Sequence, residues 1–149
     1  MNGNAGPGIG GFSIFDGVQW SGANVANYGL GPAWNLPSDD VDDLCVLANG
    51  NVAMSPGLGQ GVVEWDGTDY TYLVPQFWDI DVVQEDSRGR VWAAQSNGDG
   101  VFVADQGLTV RFTSANSSLP IGVIASIEPE PTMPGFVWIA AATGLALTD

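Results

Sequence analysis

The chain has 149 residues, enough for one domain with a sizeable core, and sets 17 acidic side chains against three arginines for a net charge of −14. That field repels nucleic acid and anionic lipid, so neither is an expected partner. With no histidine in the sequence, Ser-His-Asp and Cys-His mechanisms are excluded, and the commonest transition-metal ligand is missing.

The opening "MNGNAGPGIGG" has neither the basic nor the apolar part of a signal peptide, and no apolar run approaches the roughly 20 residues of a membrane span. Residues 1–10 read as a flexible Gly/Asn-rich arm and 11–149 as one repeat domain. The segment "GFSIFDGVQW" predicts two short strands around Asp16-Gly17. Trp34 follows in the connection that leads to "NLPSDDVDDLCVL", where an apolar strand runs from Val41 to Leu47. The single cysteine, Cys45, has no internal disulfide partner and sits in "LCVL", so it reads as a small core residue rather than a nucleophile. Strands in "NVAMS", "GVVEW" and "DYTYLV" complete that unit, each introduced by a glycine-containing turn.

Trp78 in "FWDID" enters a second unit, whose core is "EDSRGRVWAAQSNGDGVFVAD". A third begins at "SLPIGVIASIE" and ends with "PGFVWIAAATGLALTD", which holds two more strands. The units superpose: Val52 falls on Val91, 39 residues on, with Gly61 on Gly100 and Asp66 on Asp105. Val137 and Trp138 repeat Val91 and Trp92, and Asp16-Gly17 repeats Asp66-Gly67. Four glycine-punctuated strands per unit at a period of about 40 to 50 residues, with no sustained helical periodicity, predict an all-β fold of β-propeller blades: about three four-stranded repeats with incomplete terminal blades.

The elements "LPSDDV", "EDSRGRVWAA", "GVVEWDG" and "FDGVQW" recur in an order that resembles the two-component regulator propeller repeat. The resemblance covers nearly everything from Gly11 to Asp149 and implies propeller blades of the kind found in periplasmic sensor regions. Two departures stand out: Ala53-Met54 replaces the second-strand tryptophan, and Ala104 replaces the aromatic before Asp105. No kinase motif lies in the chain, so kinase activity is not carried over.

Thirteen strands in groups of two, four, four and three leave both ends of the arc open. Open edges and uncovered blade faces favour association, so the expected partners are further copies of the chain or the remainder of a longer propeller. The site candidates are Trp34, Trp78, Asp42 and Asp81. "SDDVDD" and "WDID" place Asp40 on Asp79 and Asp42 on Asp81 at the start of two innermost strands, where four carboxylates would converge at a channel mouth, against a bland reading in which Asp40 and Asp79 serve turns. The third unit has Val123 and Ala125 there.

The oxygen-rich loops "SDDVDD" and "SNGDG" lack the EF-hand pattern, so neither a metal nor a cofactor is assigned. The reading is a non-enzymatic recognition module outside the cytoplasm, binding a glycan or protein. Its alternative is a structural subunit that self-assembles through strand complementation, and a polysaccharide-active enzyme using paired carboxylates is a third class.

Overall fold

The computed structural model describes residues 11–23, 37–38, 40–57, 59–95, 97–98, 100–120 and 122–149. The proposed arm at residues 1–10 and the candidate Trp34 lie outside them. Thirteen strands form among the described residues, with no helix. A hairpin pairs β1 (Phe12–Phe15) with β2 (Trp20–Ala23). Blade 1 comprises β3 (Asp43–Val46), β4 (Val52–Ser55), β5 (Val62–Trp65) and β6 (Tyr70–Val74) in simple antiparallel order. Blade 2 repeats this with β7 (Val82–Glu85), β8 (Val91–Ala94), β9 (Val101–Asp105) and β10 (Leu108–Phe112). Blade 3 has β11 (Ile124–Pro129), β12 (Val137–Ala141) and β13 (Gly144–Thr148). The all-β reading, the grouping of strands and the incomplete outer units agree with the repeat read from the sequence.

The Asp-Gly turns confirm the proposed equivalence of the first hairpin with the end of blade 1. Asp16 Oδ1 accepts from the backbone N–H groups of Val18 and Gln19, each at 2.8 Å, and Asp66 Oδ1 does the same with Thr68 and Asp69 at 2.8 and 2.9 Å. These bonds hold both carboxyls below the ordinary carboxylate range. Asp105 departs from the pattern because its strand reverses through only Gln106 and Gly107, both at positive φ, as a two-residue hairpin requires.

Successive strand residues point to opposite faces, and the complete blades carry buried apolar residues on both. Between blades 1 and 2, Ala53 and Val62 meet Val83, Val91, Ala93 and Phe102. Between blades 2 and 3, Trp92, Ala94, Val101 and Val103 meet Ile124, Ile127, Val137 and Ile139. Ile14 of the hairpin packs against Met54, Val63 and Trp65 on the other side of blade 1. The hairpin covers only part of that face: Leu44 of β3 is 41% exposed, whereas its repeat equivalent Val83, which faces the complete blade 1, is 0% exposed.

Blades 2 and 3 are also joined by a polar node. Asp86, 4% exposed, accepts from the indole N–H of Trp92 at 2.8 Å and from Arg90 Nε at 2.7 Å. The other end of Arg90 donates to the Gly135 carbonyl of blade 3 at 2.6 Å, and Ser87 Oγ accepts from the Gly135 N–H at 2.8 Å. Burial alone would push the Asp86 carboxyl up, but the hydrogen bonds from Trp92, Arg88 and Arg90 outweigh it and hold the group lowered.

Replacing Asp86 with alanine is expected to cost about 3 kcal/mol at pH 7, because it strands Arg90 and the Trp92 indole without their acceptor. The stability supplied by the lowered carboxyl is present above the unfolded pKa of about 3.9 and is lost as pH falls through the folded value. The gap between wild type and Asp86→Ala should therefore narrow in acid, which urea denaturation at neutral and low pH would measure.

Candidate functional site

The innermost strands β3, β7 and β11 lie side by side. Asp43 stitches the first two together: its Oδ2 accepts from the Val83 N–H at 2.8 Å across the blade boundary, while its own N–H donates to Ser55 Oγ at 3.0 Å. In the sequence Asp43 is one more acid in a solvated run. Its partner is 40 residues away, so nothing local marks it as structural.

Asp42, one residue earlier, precedes β3 at the same end of the sheets as Asp81 before β7. The backbone N–H groups of Asp42 and Asp81 donate to Ser55 and Ala94, at 3.0 and 2.9 Å, fixing the two aspartates at equivalent levels on successive blades. Asp40 and Asp79 sit on either side of the loop that joins β4 to β5. The Asp40 carbonyl accepts from Gly57 N–H at 2.9 Å, and Asp79 Oδ1 accepts from Gly59 N–H at 3.3 Å. The two carboxylates crowd Gly57, where a Cβ would lie 2.8 Å from Asp42 Oδ2 and 3.0 Å from Asp40 Oδ2.

The Asp42 carboxyl is shifted upward, first by burial and then by the charges of Asp40, Asp81 and Asp79. The acids of two connections thus converge on one rim, as the 39-residue superposition predicts. The acidic part of the rim stops at blade 3, where Val123 presents an exposed apolar side chain at the corresponding level. Among the described residues no group of three or more carboxylate, thiol or imidazole side chains is arranged to hold a metal ion.

Trp78 has a different setting from these acids. Its ring packs against Phe102 with centroids 5.0 Å apart, and the Arg111 guanidinium lies 4.3 Å over it. Its carbonyl accepts from Gly61 N–H at 2.9 Å. This tryptophan therefore braces the connection that delivers Asp79 and Asp81 to the rim. Cys45 is buried, and burial followed by the charges of Glu85 and Asp43 raises its thiol to about 11, which leaves it protonated at neutral pH.

Two carboxylates that pair with tryptophans are not apparent from composition. Asp86 with Trp92 has a counterpart in Glu130, whose Oε2 accepts from the Trp138 indole at 2.6 Å. The sequence signal is an acid six to eight residues before the second-strand tryptophan. Blade 1 lacks both members together, having Leu47 and Ala53 at the positions of Asp86 and Trp92.

A raised folded pKa means that Asp42 favours the fold below the unfolded value of about 3.9 and disfavours it increasingly as pH rises through the folded value. Asp42→Asn should therefore melt higher than wild type at pH 7, by on the order of 1–2 °C. The difference should vanish near pH 3, which thermal melts at the two pH values would show.

No family model and no curated protein matches the chain. Among solved structures it is similar to the extracellular domain of a putative hybrid two-component system from B. thetaiotaomicron, with a TM-score of 0.66 and 19% identity over 93% of this chain and 19% of that one. A streptogramin B lyase gives a TM-score of 0.66 with 16% identity, over 93% of this chain and 47% of the lyase. PorZ, a surface component of the type-IX secretion system of Porphyromonas gingivalis, gives 0.59 with 19% identity, over 78% of this chain and 18% of that one. The chain thus spans less than half the length of each of these proteins. What these likenesses show is the fold: the chain is a run of β-propeller blades, and its resemblance to the regulator propeller repeat has a structural counterpart in the first of them.

Proposed function

We propose that this chain is a non-enzymatic β-propeller recognition module that acts outside the cytoplasm and engages a glycan or protein ligand at its acidic rim. The observation that carries this reading is the grouping of acids from two successive connections: the Asp40 and Asp42 carboxylates both lie beside Gly57, Asp79 accepts from Gly59 in the same loop, and Asp40, Asp81 and Asp79 all act on the charge of Asp42. Grouped carboxylates accept hydrogen bonds from hydroxyl, amide or ammonium donors. Asp42 and Asp81 supply those acceptors, Trp78 positions the second connection, and Trp34 is the remaining candidate. The lack of histidine and the raised Cys45 thiol support a role without catalysis. An extracellular or periplasmic setting is supported by two of the similar structures, an extracellular domain and a bacterial surface component.

Glycan and peptide arrays probed with the wild-type chain would identify the ligand. Asp42→Asn combined with Asp81→Asn is expected to weaken binding at least roughly tenfold while the fold is retained, and Trp78→Ala to weaken it less. Undiminished binding by the folded double variant would remove the rim from consideration.

Self-association is a second reading, favoured by the outward face of blade 3. Trp138, Leu145 and Leu147 occupy the positions that Trp92, Val101 and Val103 fill in blade 2, where the next blade buries them. On blade 3 that face is open, with Leu145 63% exposed. A second copy stacking there would cover it. Light scattering at micromolar concentration should then find an oligomer that Leu145→Asp with Leu147→Asp converts to monomer; a wild-type monomer excludes this reading.

A further inference from the structure

The two complete blade boundaries differ in how well they are filled. A groove of about 640 Å³ opens between blades 1 and 2, and a smaller cavity of about 190 Å³ lies between blades 2 and 3. Blade 2 turns Trp92 and Val103 toward its neighbour, and blade 1 has Ala53 and Glu64 there instead. Ala53 is fully buried in the packed boundary, whereas Glu64 lines the groove and places a carboxylate where blade 2 has a valine.

The groove joins apolar walls to negative charge. Leu47, Tyr72 and Leu108 line it together with Glu64, Glu85 and Asp105, and no basic side chain is among its lining residues. The three arginines are engaged elsewhere: Arg90 with Asp86, Arg88 near Asp149 and Arg111 over Trp78. Glu64 is held in place by the side-chain amides of Asn49 and Asn51 at 2.9 and 2.6 Å, and Glu85 by the Ala48 N–H at 2.6 Å. A carboxylate has about four lone-pair sites, so these bonds orient each group and leave acceptors for a ligand. At the rim of the groove Phe77 is 92% exposed and is held at φ +84° by its N–H bond to the Gly59 carbonyl. A non-glycine residue is seldom kept in that region without a reason.

We propose that this inter-blade groove binds a small amphipathic organic cation, an amine or guanidinium carried on an aromatic or aliphatic body. The volume lies within the range of about 300–1,000 Å³ typical of small-molecule sites. Carboxylates fixed beside aromatic and aliphatic walls select a positive charge attached to apolar surface. The site is separate from the acidic rim and does not depend on the function assigned there.

The test is a heteronuclear NMR titration of the full chain with phenethylamine, and with phenethyl alcohol and phenylacetate as neutral and anionic counterparts. The amine should bind with a Kd on the order of 1 mM and shift the amides of Glu85, Val91, Leu108 and Thr109. The alcohol should bind roughly tenfold more weakly, and the anion not at all. Glu64→Val, which installs the residue blade 2 has at this position, and Glu85→Gln should each weaken the amine roughly tenfold. Asp42→Asn with Asp81→Asn should leave it unchanged, which separates this site from the rim. Glu85→Gln retains a side-chain oxygen to accept from the Ala48 N–H, so it tests the proposal even where Glu64→Val does not fold. Equal binding of amine and alcohol, shifts confined to the rim, unaltered affinity in folded Glu85→Gln, or binding of a Lys/Leu peptide but not of the free amine would each overturn the assignment.

Discussion

The complete blades of this molecule carry apolar side chains on both faces, and burying these against neighbouring sheets is what holds the blades together. That burial organises the chain. Side-chain alternation sends Ala53, Val62, Trp92 and Val101 one way and Met54, Val63, Ala93 and Phe102 the other. Neighbouring blades are the surfaces that bury them. The contrast between Leu44 and Val83 shows the rule at one repeat position: the side chain is buried where a full blade faces it and exposed where only a hairpin does.

Polar groups act at the margins of this packing. Asp43 ties the inner strands of blades 1 and 2, and Asp86 with Arg90 ties blade 2 to the Gly135 turn of blade 3. Both carboxylates are satisfied by named donors, which lets them sit close to the apolar interface. At the rim, Asp42 is set apart by the charges of Asp40, Asp81 and Asp79 acting on it in addition to burial. Charge of one sign is concentrated there at a cost to stability, a pattern common where a protein meets a ligand.

The Trp–carboxylate pair differs among the blades. Blade 2 has Asp86 with Trp92, blade 3 has Glu130 with Trp138, and blade 1 has neither, with Leu47 and Ala53 at those positions. Loss of the indole alone would have stranded the acid. Loss of the acid alone would have stranded the indole N–H. With neither member present, blade 1 leaves no polar group of the pair without its partner.

Strand number, order and blade grouping were legible in the sequence, because glycine turns and period-two alternation are local signals that recur in register at Val52, Val91 and Val137. So was the pairing of Asp40 with Asp79 and Asp42 with Asp81, since superposed repeats place equivalent residues at equivalent heights. The packing of Trp78 was not legible: its contacts are Phe102 and Arg111, which come from two later strands, and a sequence pattern does not specify which way a ring in a connection turns. The bridge from Asp43 to Val83, the link from Arg90 to Gly135 and the volume of the inter-blade groove likewise belong to tertiary structure alone. Local hydrogen bonding and alternation are written within a few residues of one another; the separation and facing of two sheets depend on side-chain volumes summed across a boundary, and that sum exists only once the blades have packed.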